Sequence, residues 1–269
     1  MNILVTNDDG IASKGLWALA KTMSRVGQVT VIAPDKERSG VGSSISFRSD
    51  ISISEVNSLI PGVAAYAIGG TPSDCVMLGI RQMPQSRFDL VVSGINHGPN
   101  IGTDIHYSGT VMATLQSYYR KISSIAVSLY PRNRDETLDF DFAAEVTEKL
   151  AVNIKTGKLK TDAILNVNIP NIPRAEIKGI LTTKTASIGY VTPSKKGDNK
   201  VMNYILELDE LYNPVATEGT DIWAIQAGYI SVSFLRFEVD HHEVDRSTTE
   251  CLKGMGSDLL RLKPETRDS

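Results

Sequence analysis

Ile3-Leu4-Val5-Thr6-Asn7-Asp8-Asp9-Gly10 opens the chain, and Gln28-Val29-Thr30-Val31-Ile32-Ala33-Pro34-Asp35 follows it after one helix-length interval. The first stretch is a short apolar run that stops at a polar cluster, the pattern of a buried strand with a loop at its carboxyl end. Between the two, Leu16, Trp17, Leu19, Ala20, Met23 and Val26 recur at helical spacing from Ser13 to Val26, and Gly27 is expected to stop that helix. Strand, helix and strand predict a βαβ unit, a parallel sheet and a right-handed crossover, hence an α/β fold.

The pattern continues outward. Pro34 to Ser46 reads as a long polar loop carrying Ser39-Gly40-Val41-Gly42. Ile51 to Ser54 and Ala65 to Ile68 alternate like strands of a hairpin with one wet face. Thr71-Pro72-Ser73-Asp74 is a helix start, with Thr71 as N-cap and Pro72 at the first helical position, and the helix runs to about Arg81. Phe88 to Val92 is a third buried strand, closed by Ser93-Gly94-Ile95-Asn96. A Gly-rich loop leads to Tyr107, and Ser108-Gly109-Thr110 opens a helix expected to reach about Tyr119. Ser124–Leu129 and Ala163–Ile169 read as strands around an amphipathic helix over Asp139–Ile154. After Pro170 the alternation weakens. Strands are expected over Ile177–Thr182, Val201–Leu208 and Tyr229–Phe234, with a terminal helix over Asp258–Leu262 and a frayed tail over Thr266–Ser269.

Composition sets the bounds. The chain has 269 residues, 41% hydrophobic and 22% charged, enough apolar material for a sizeable core. With 28 basic and 31 acidic residues the formal net charge is −3, so nothing global holds nucleic acid, and an anionic substrate needs a local positive centre. Two cysteines, Cys75 and Cys251, make neither a disulfide framework nor a four-thiolate zinc site. The first ten residues lack a basic n-region, and no apolar run approaches a membrane span, so a cytoplasmic protein is expected.

Three polar segments end predicted strands: Asn7-Asp8-Asp9-Gly10, the loop holding Ser39, and Ser93-Gly94-Ile95-Asn96. In an open parallel sheet, ligands bind in the crevice outside those ends, so the three are expected to converge. Two carboxylates, a hydroxyl and a carboxamide form an all-oxygen set suited to Mg²⁺, Mn²⁺ or Ca²⁺. Ser108-Gly109-Thr110 adds a helix start whose free N–H groups suit phosphate. The plainer readings are a solvated turn at Asp8-Asp9 and simple N-capping by Ser108.

These motifs, in this order, resemble the SurE family of stationary-phase survival proteins. The resemblance rests on Asn7-Asp8-Asp9-Gly10, Pro34 through Ser39-Gly40, Gly70-Thr71-Pro72-Ser73-Asp74-Cys75, Ser93-Gly94-Ile95-Asn96 and Tyr107-Ser108-Gly109-Thr110-Val111. Weaker echoes follow in Leu165-Asn166-Val167-Asn168-Ile169-Pro170 and Gly219-Thr220-Asp221. It implies a single Rossmann-like α/β domain, with a core over about 1–170 bearing the active site and a β-rich C-terminal extension over 171–269 used in oligomerisation. It implies a metal-dependent nucleotidase that hydrolyses nucleoside 5′- or 3′-monophosphates. The resemblance implies one divalent cation per subunit, Mg²⁺ or Mn²⁺, held by Asp8, Asp9, Ser39 and Asn96, and phosphate contacts from Asn96, Ser108, Gly109 and Thr110. Exchange of C-terminal elements implies a homodimer or homotetramer. Between Ile188 and Tyr204 the chain departs from the family's aromatic-rich pattern, with Lys195-Lys196-Gly197-Asp198 in its place.

Water is the expected nucleophile, with Asp8 as the catalytic group that takes its proton and Asp9 mainly a ligand. Direct attack by Asp8 is the rival path; phosphatases that use it carry Asp-x-Asp, whereas these two aspartates are adjacent. The other class of function weighed is a non-catalytic nucleotide- or polyphosphate-binding sensor, and a third is a sugar-nucleotide transferase. No Gly-x-x-x-x-Gly-Lys-Ser/Thr or Gly-x-Ser-x-Gly motif occurs, which argues against a P-loop ATPase and a serine hydrolase. His241-His242 reads as a solvated loop, Cys75 as buried core, and Trp17 and Trp223 as packing residues. His106 is weighed as a proton donor and Tyr107 as a base-stacking residue.

Overall fold

A computed structural model describes residues 1–83, 87–131, 136–196, 203–208, 215–237, 247 and 250–251. Met1–Arg236 form one compact unit and Phe237–Ser269 a second. The predicted Asp258–Leu262 helix, the tail and His241-His242 lie outside the described residues.

The first unit is built on a nine-stranded sheet. Its strands are β1 (Asn2–Thr6), β2 (Gln28–Pro34), β3 (Ile53–Glu55), β4 (Ala64–Ile68), β5 (Leu90–His97), β6 (Ser123–Tyr130), β7 (Ile164–Pro170), β8 (Ile180–Thr183) and β11 (Ile230–Leu235), in the spatial order β3-β4-β2-β1-β5-β6-β7-β11-β8. β4, β2, β1, β5, β6 and β7 are parallel to one another; β3 and β11 run against their neighbours β4 and β7. The strand order reverses between β1 and β5, which makes their carboxyl ends the crevice of the sheet. β8 and β11, from the second half of the chain, complete this same sheet. β9 (Val191–Lys196) and β10 (Asn203–Leu208) pair separately as an antiparallel ribbon, so Lys195 and Lys196 lie on a strand.

Alternation along the strands splits the core between two faces. Ile3, Val5, Val31, Leu90, Val92, Val127 and Val167 pack on the side of α1 (Lys14–Met23) and α5 (Phe140–Lys155). Leu4, Ile32, Val91 and Ala113 pack on the side of α2 (Pro72–Gln82) and α3 (Gly109–Ala113). The start of α2 is as the sequence predicts: the Thr71 hydroxyl accepts the Asp74 N–H at 3.1 Å, and Asp74 accepts the Thr71 N–H at 2.8 Å.

Some boundaries differ. α1 ends at Met23 with Ser24 as its C-cap, before Gly27; a Cβ on Gly27 would collide with the Met1 carbonyl, so that glycine answers a close approach. β5 begins at Leu90 and runs on through His97. The helix opened by Ser108 breaks at Thr114, and α4 (Leu115–Tyr118) follows. The Thr114 hydroxyl donates to the Val111 carbonyl and Ser117 to the Thr114 carbonyl, both at 2.6 Å, local bonds that compete with a continuous helix. α6 (Asp221–Gln226) precedes β11. Among the described residues no helix is long and apolar enough to cross a membrane.

Candidate active site

β1 delivers Asp8 and Asp9 to the crevice. After Thr6 the Asn7 carboxamide donates to the Gly10 carbonyl at 3.0 Å and closes the turn. Gly10 has φ +93°, and a Cβ there would stand 2.8 Å from the Lys36 carbonyl carbon, so only glycine lets the loops after β1 and β2 touch. The Arg38 N–H then donates to the Asp8 carbonyl at 2.7 Å. Ser39 is therefore carried on backbone fastened to Asp8. Its hydroxyl is exposed and donates to Glu37 at 2.7 Å.

A bulge aims Asn96. β5 stays in register with β6 up to Ser93↔Ala126 and resumes at Asn96↔Ser128, so Gly94 and Ile95 oppose Val127 alone. The extra residue reverses the alternation. Ile95 packs into the α1/α5 core, and Asn96 takes the face that Ser93 has, toward α3. The Asn96 amide donates to the Gly98 carbonyl at 2.9 Å, which leaves its oxygen 3.4 Å from the Thr110 hydroxyl.

α3 meets Asp8 head on. The Ser108 hydroxyl caps the helix by accepting the Val111 N–H at 3.0 Å. The Thr110 hydroxyl donates to Asp8 Oδ1. The Thr110 and Gly109 N–H groups also bear on the Asp8 carboxylate and favour its charged form. A Cβ on Gly109 would lie 2.8 Å from both Cβ and Oδ2 of Asp8, so this glycine leaves the space the carboxylate occupies. Asp8, Asn96, Gly109 and Thr110 thus form one connected group. Ser108 supports it from the cap; the Ser39 side chain stays on Glu37 outside this group, tied to Asp8 only through the backbone bond of its neighbour Arg38.

The electrostatics leave the negative charge only partly compensated by the protein. Burial raises the Asp8 carboxyl above its ordinary range, against the pull of Thr110. Burial first, then the charges of Asp8 and Glu37, push Asp9 up to about 7, and the His97 N–H only partly opposes them. Asp9 Oδ2 is buried with no hydrogen-bond partner. A buried carboxylate beside a half-buried one with an orphaned oxygen fits a hard divalent cation, and the donor set is all oxygen. Among the described residues, no group of three or more His, Cys, Asp or Glu gathers that could hold a metal ion, so a cation here would rely on the hydroxyl and carboxamide oxygens beside the two aspartates.

The side chains of His106 and Tyr107 are exposed, as is that of His97, whose backbone N–H bears on Asp9. Cys75 is fully buried on α2. The Trp17 indole donates to the Ile11 carbonyl at 2.7 Å beside the core, and Trp223 stacks on Tyr229 with centroids 6.2 Å apart. Sequence reading missed Asn7, which closes the acidic turn; Glu37, which holds Ser39; and the Arg38 backbone bond. Gly94 inside an apolar strand was the one available sign of the bulge.

Comparison with known proteins identifies the family. A family model described as survival protein SurE matches residues 3–191. A 5′-nucleotidase SurE of Dehalococcoides mccartyi (strain CBDB1) is 42% identical over 235 residues, covering 87% of this chain and 88% of the relative. That of Heliobacterium modesticaldum is 37% identical over 258 residues, covering 96% and 94%. The crystal structure of the SurE protein from Aquifex aeolicus superposes with a TM-score of 0.77 at 34% identity, covering 94% of this chain and all of that one. On sequence and fold together, this chain belongs to the survival protein SurE family.

Proposed function

We propose that the chain is a nucleotidase that hydrolyses nucleoside 5′-monophosphates to nucleoside and phosphate, with a divalent cation seated on Asp8, Asp9, Ser39 and Asn96. The observation that carries this reading is the meeting of Asp8 with the start of α3 and with Asn96, beside the unpartnered Asp9 oxygen. The names of the relatives support the substrate class and make the sensor reading unfavoured.

A cation bound there would draw charge from the phosphoryl oxygens and make a nearby water more acidic. The residues do the remainder. Thr110 and Gly109 fix the Asp8 carboxylate through hydrogen bonds that favour its ionised form, which suits it to accept the proton of the attacking water. Asn96, oriented by Gly98, would offer its carboxamide to the cation and the phosphate. Ser108, Gly109 and Thr110 line the phosphate side, and Ser108 keeps its hydroxyl proton for donation because capping uses only its oxygen. The same reading takes the protein as a single α/β domain with its active-site core over about 1–170. It further takes the protein as a cytoplasmic homodimer or homotetramer with one Mg²⁺ or Mn²⁺ per subunit, which rests on the family resemblance.

The test is phosphate release from a panel of nucleoside 5′- and 3′-monophosphates with Mn²⁺ or Mg²⁺. Turnover that chelator abolishes and Asp8→Ala or Asp9→Ala removes is expected. Nucleotide binding without phosphate release would favour the sensor.

A further inference from the structure

Two of the sequence motifs, Leu165-Asn166-Val167-Asn168-Ile169-Pro170 and Gly219-Thr220-Asp221, take no part in the site described above, yet both bear on one stretch of chain. Residues 98–107 join the tip of β5, with its Asn96, to Ser108 at the start of α3. Much of this connection is buried, including Asn100, Ile101, Gly102 and Asp104, so its backbone groups need partners. Asn168 Oδ1 accepts the Asn100 N–H at 2.8 Å, and Asn168 Nδ2 donates to the Asn100 carbonyl at 3.0 Å. Asn166 Nδ2 donates to that same carbonyl at 2.8 Å. The Asn100 carboxamide donates to the Ser128 hydroxyl at 2.8 Å. Two residues on, the Gly102 N–H donates to Asp221 Oδ2 at 2.9 Å, while Asp221 Oδ1 accepts the Ala186 N–H at 2.9 Å. Ser128, Asn166, Asn168 and Asp221 are all fully buried.

The chemistry of these residues is specific. A carboxamide carries donor and acceptor side by side, as a peptide does, so Asn168 meets Asn100 as a neighbouring strand residue would. Aspartate at that place loses the donor, and glutamine is one methylene too long. Placement points the same way: Asn96, Ser128 and Asn168 are register partners across β5, β6 and β7, so the clamp on Asn100 and the carboxamide of Asn96 share one row of the sheet. The Gly98 carbonyl that aims Asn96 lies two residues before the clamped one.

We propose that Asn166, Asn168 and Asp221 are positioning residues for the hydrolysis: by holding Asn100 and Gly102 they keep Gly98 where it orients Asn96, and keep Ser108 where α3 meets Asp8. For its kinetic consequence the proposal rests on the nucleotidase reading.

Asn166→Ala, Asn168→Asp and Asp221→Asn in the full chain test it by three readouts: hydrogen exchange of amides 98–107, Mn²⁺ affinity from the paramagnetic resonance of free Mn²⁺, and kcat and KM separately. Expected are faster local exchange at 98–107 with β1 and β2 unchanged, and a loss of about 10–100-fold in Mn²⁺ affinity or kcat, the usual effect of removing a ligand's supporting partner. Unchanged local exchange overturns the proposal, and so does faster exchange with wild-type Mn²⁺ affinity and kcat, which would make the clamp merely structural. If Asn168→Asp fails to fold, Asn166→Ala, which removes a single hydrogen bond, decides. A wild-type chain that releases no phosphate would defeat the nucleotidase reading, and exchange with Mn²⁺ affinity would then judge the clamp.

Discussion

Replacing Asp9 by asparagine should stabilise the metal-free protein at pH 8, though not at pH 5, while removing its function. Burial and the neighbouring Asp8 and Glu37 charges push the Asp9 carboxyl up to about 7, against about 3.9 for a free aspartate. A group whose pKa is higher folded than unfolded contributes stability that is complete below the unfolded value and lost as pH rises through the folded one. The wild-type penalty is therefore about 1.5 kcal/mol at pH 5 and on the order of 4 kcal/mol at pH 8. Asparagine carries no such pH dependence. Its extra N–H₂ costs about 1–3 kcal/mol if left unpaired, but equally at both pH values. The stability of Asp9→Asn relative to wild type should thus improve by about 2–3 kcal/mol between pH 5 and pH 8, read as roughly 5–10 °C in relative Tm for a domain of this size. The assay is calorimetric or urea unfolding of both proteins at the two pH values with chelator present. Saturating Mn²⁺ should then raise the Tm of wild type far more than that of the variant. A stability difference that stays the same from pH 5 to pH 8 would refute the reasoning.

Further outcomes follow from single contacts. Gly109→Ala puts a methyl group 2.8 Å from Asp8 Cβ and Oδ2; it should lower kcat by about 10²-fold, the scale of loss for a small misplacement of a reacting group, with a modest change in Tm. Thr110→Val removes the hydroxyl from Asp8 and should weaken Mn²⁺ binding in a calorimetric titration, whereas Thr110→Ser retains it. Thr71→Ala breaks the capping box of α2 and its 2.7 Å bond to the Ser44 carbonyl; unfolding should show a loss of about 1–2 kcal/mol, with kcat per folded molecule nearly unchanged. Acid-quenched protein after turnover of a phosphate-labelled nucleotide should carry no label; label on Asp8 would replace water attack by an aspartyl phosphate.

The parallel core was legible because its strands are apolar runs separated by helices with plain punctuation: Thr71 and Pro72 start α2 by a local rule that no tertiary contact overrides. The meeting of Asp8 with Asn96 and Thr110 was legible in part for a similar reason, since Asp8 sits just past one apolar run and Asn96 at the end of another. What the sequence hid depends on contacts between distant segments. The bulge at Gly94–Ile95 decides which face Asn96 takes, and it is defined only against β6. Gly109 reads locally as part of a phosphate loop, but the structure fills the space beside it with Asp8, a hundred residues away. The break at Thr114 arises from side chain to backbone bonds that hydrophobic periodicity does not register.

Manganese-soaked crystals, with the anomalous signal of the metal recorded, test most directly whether the crevice between β1 and β5 is built for a phosphoryl-transfer cation. One Mn²⁺ peak per subunit, with oxygens of Asp8, Asp9 and Asn96 at about 2.2 Å and the Ser39 hydroxyl turned from Glu37 toward it, is the predicted result. A peak elsewhere on the chain, or none at a saturating concentration with those four side chains ordered, would contradict it.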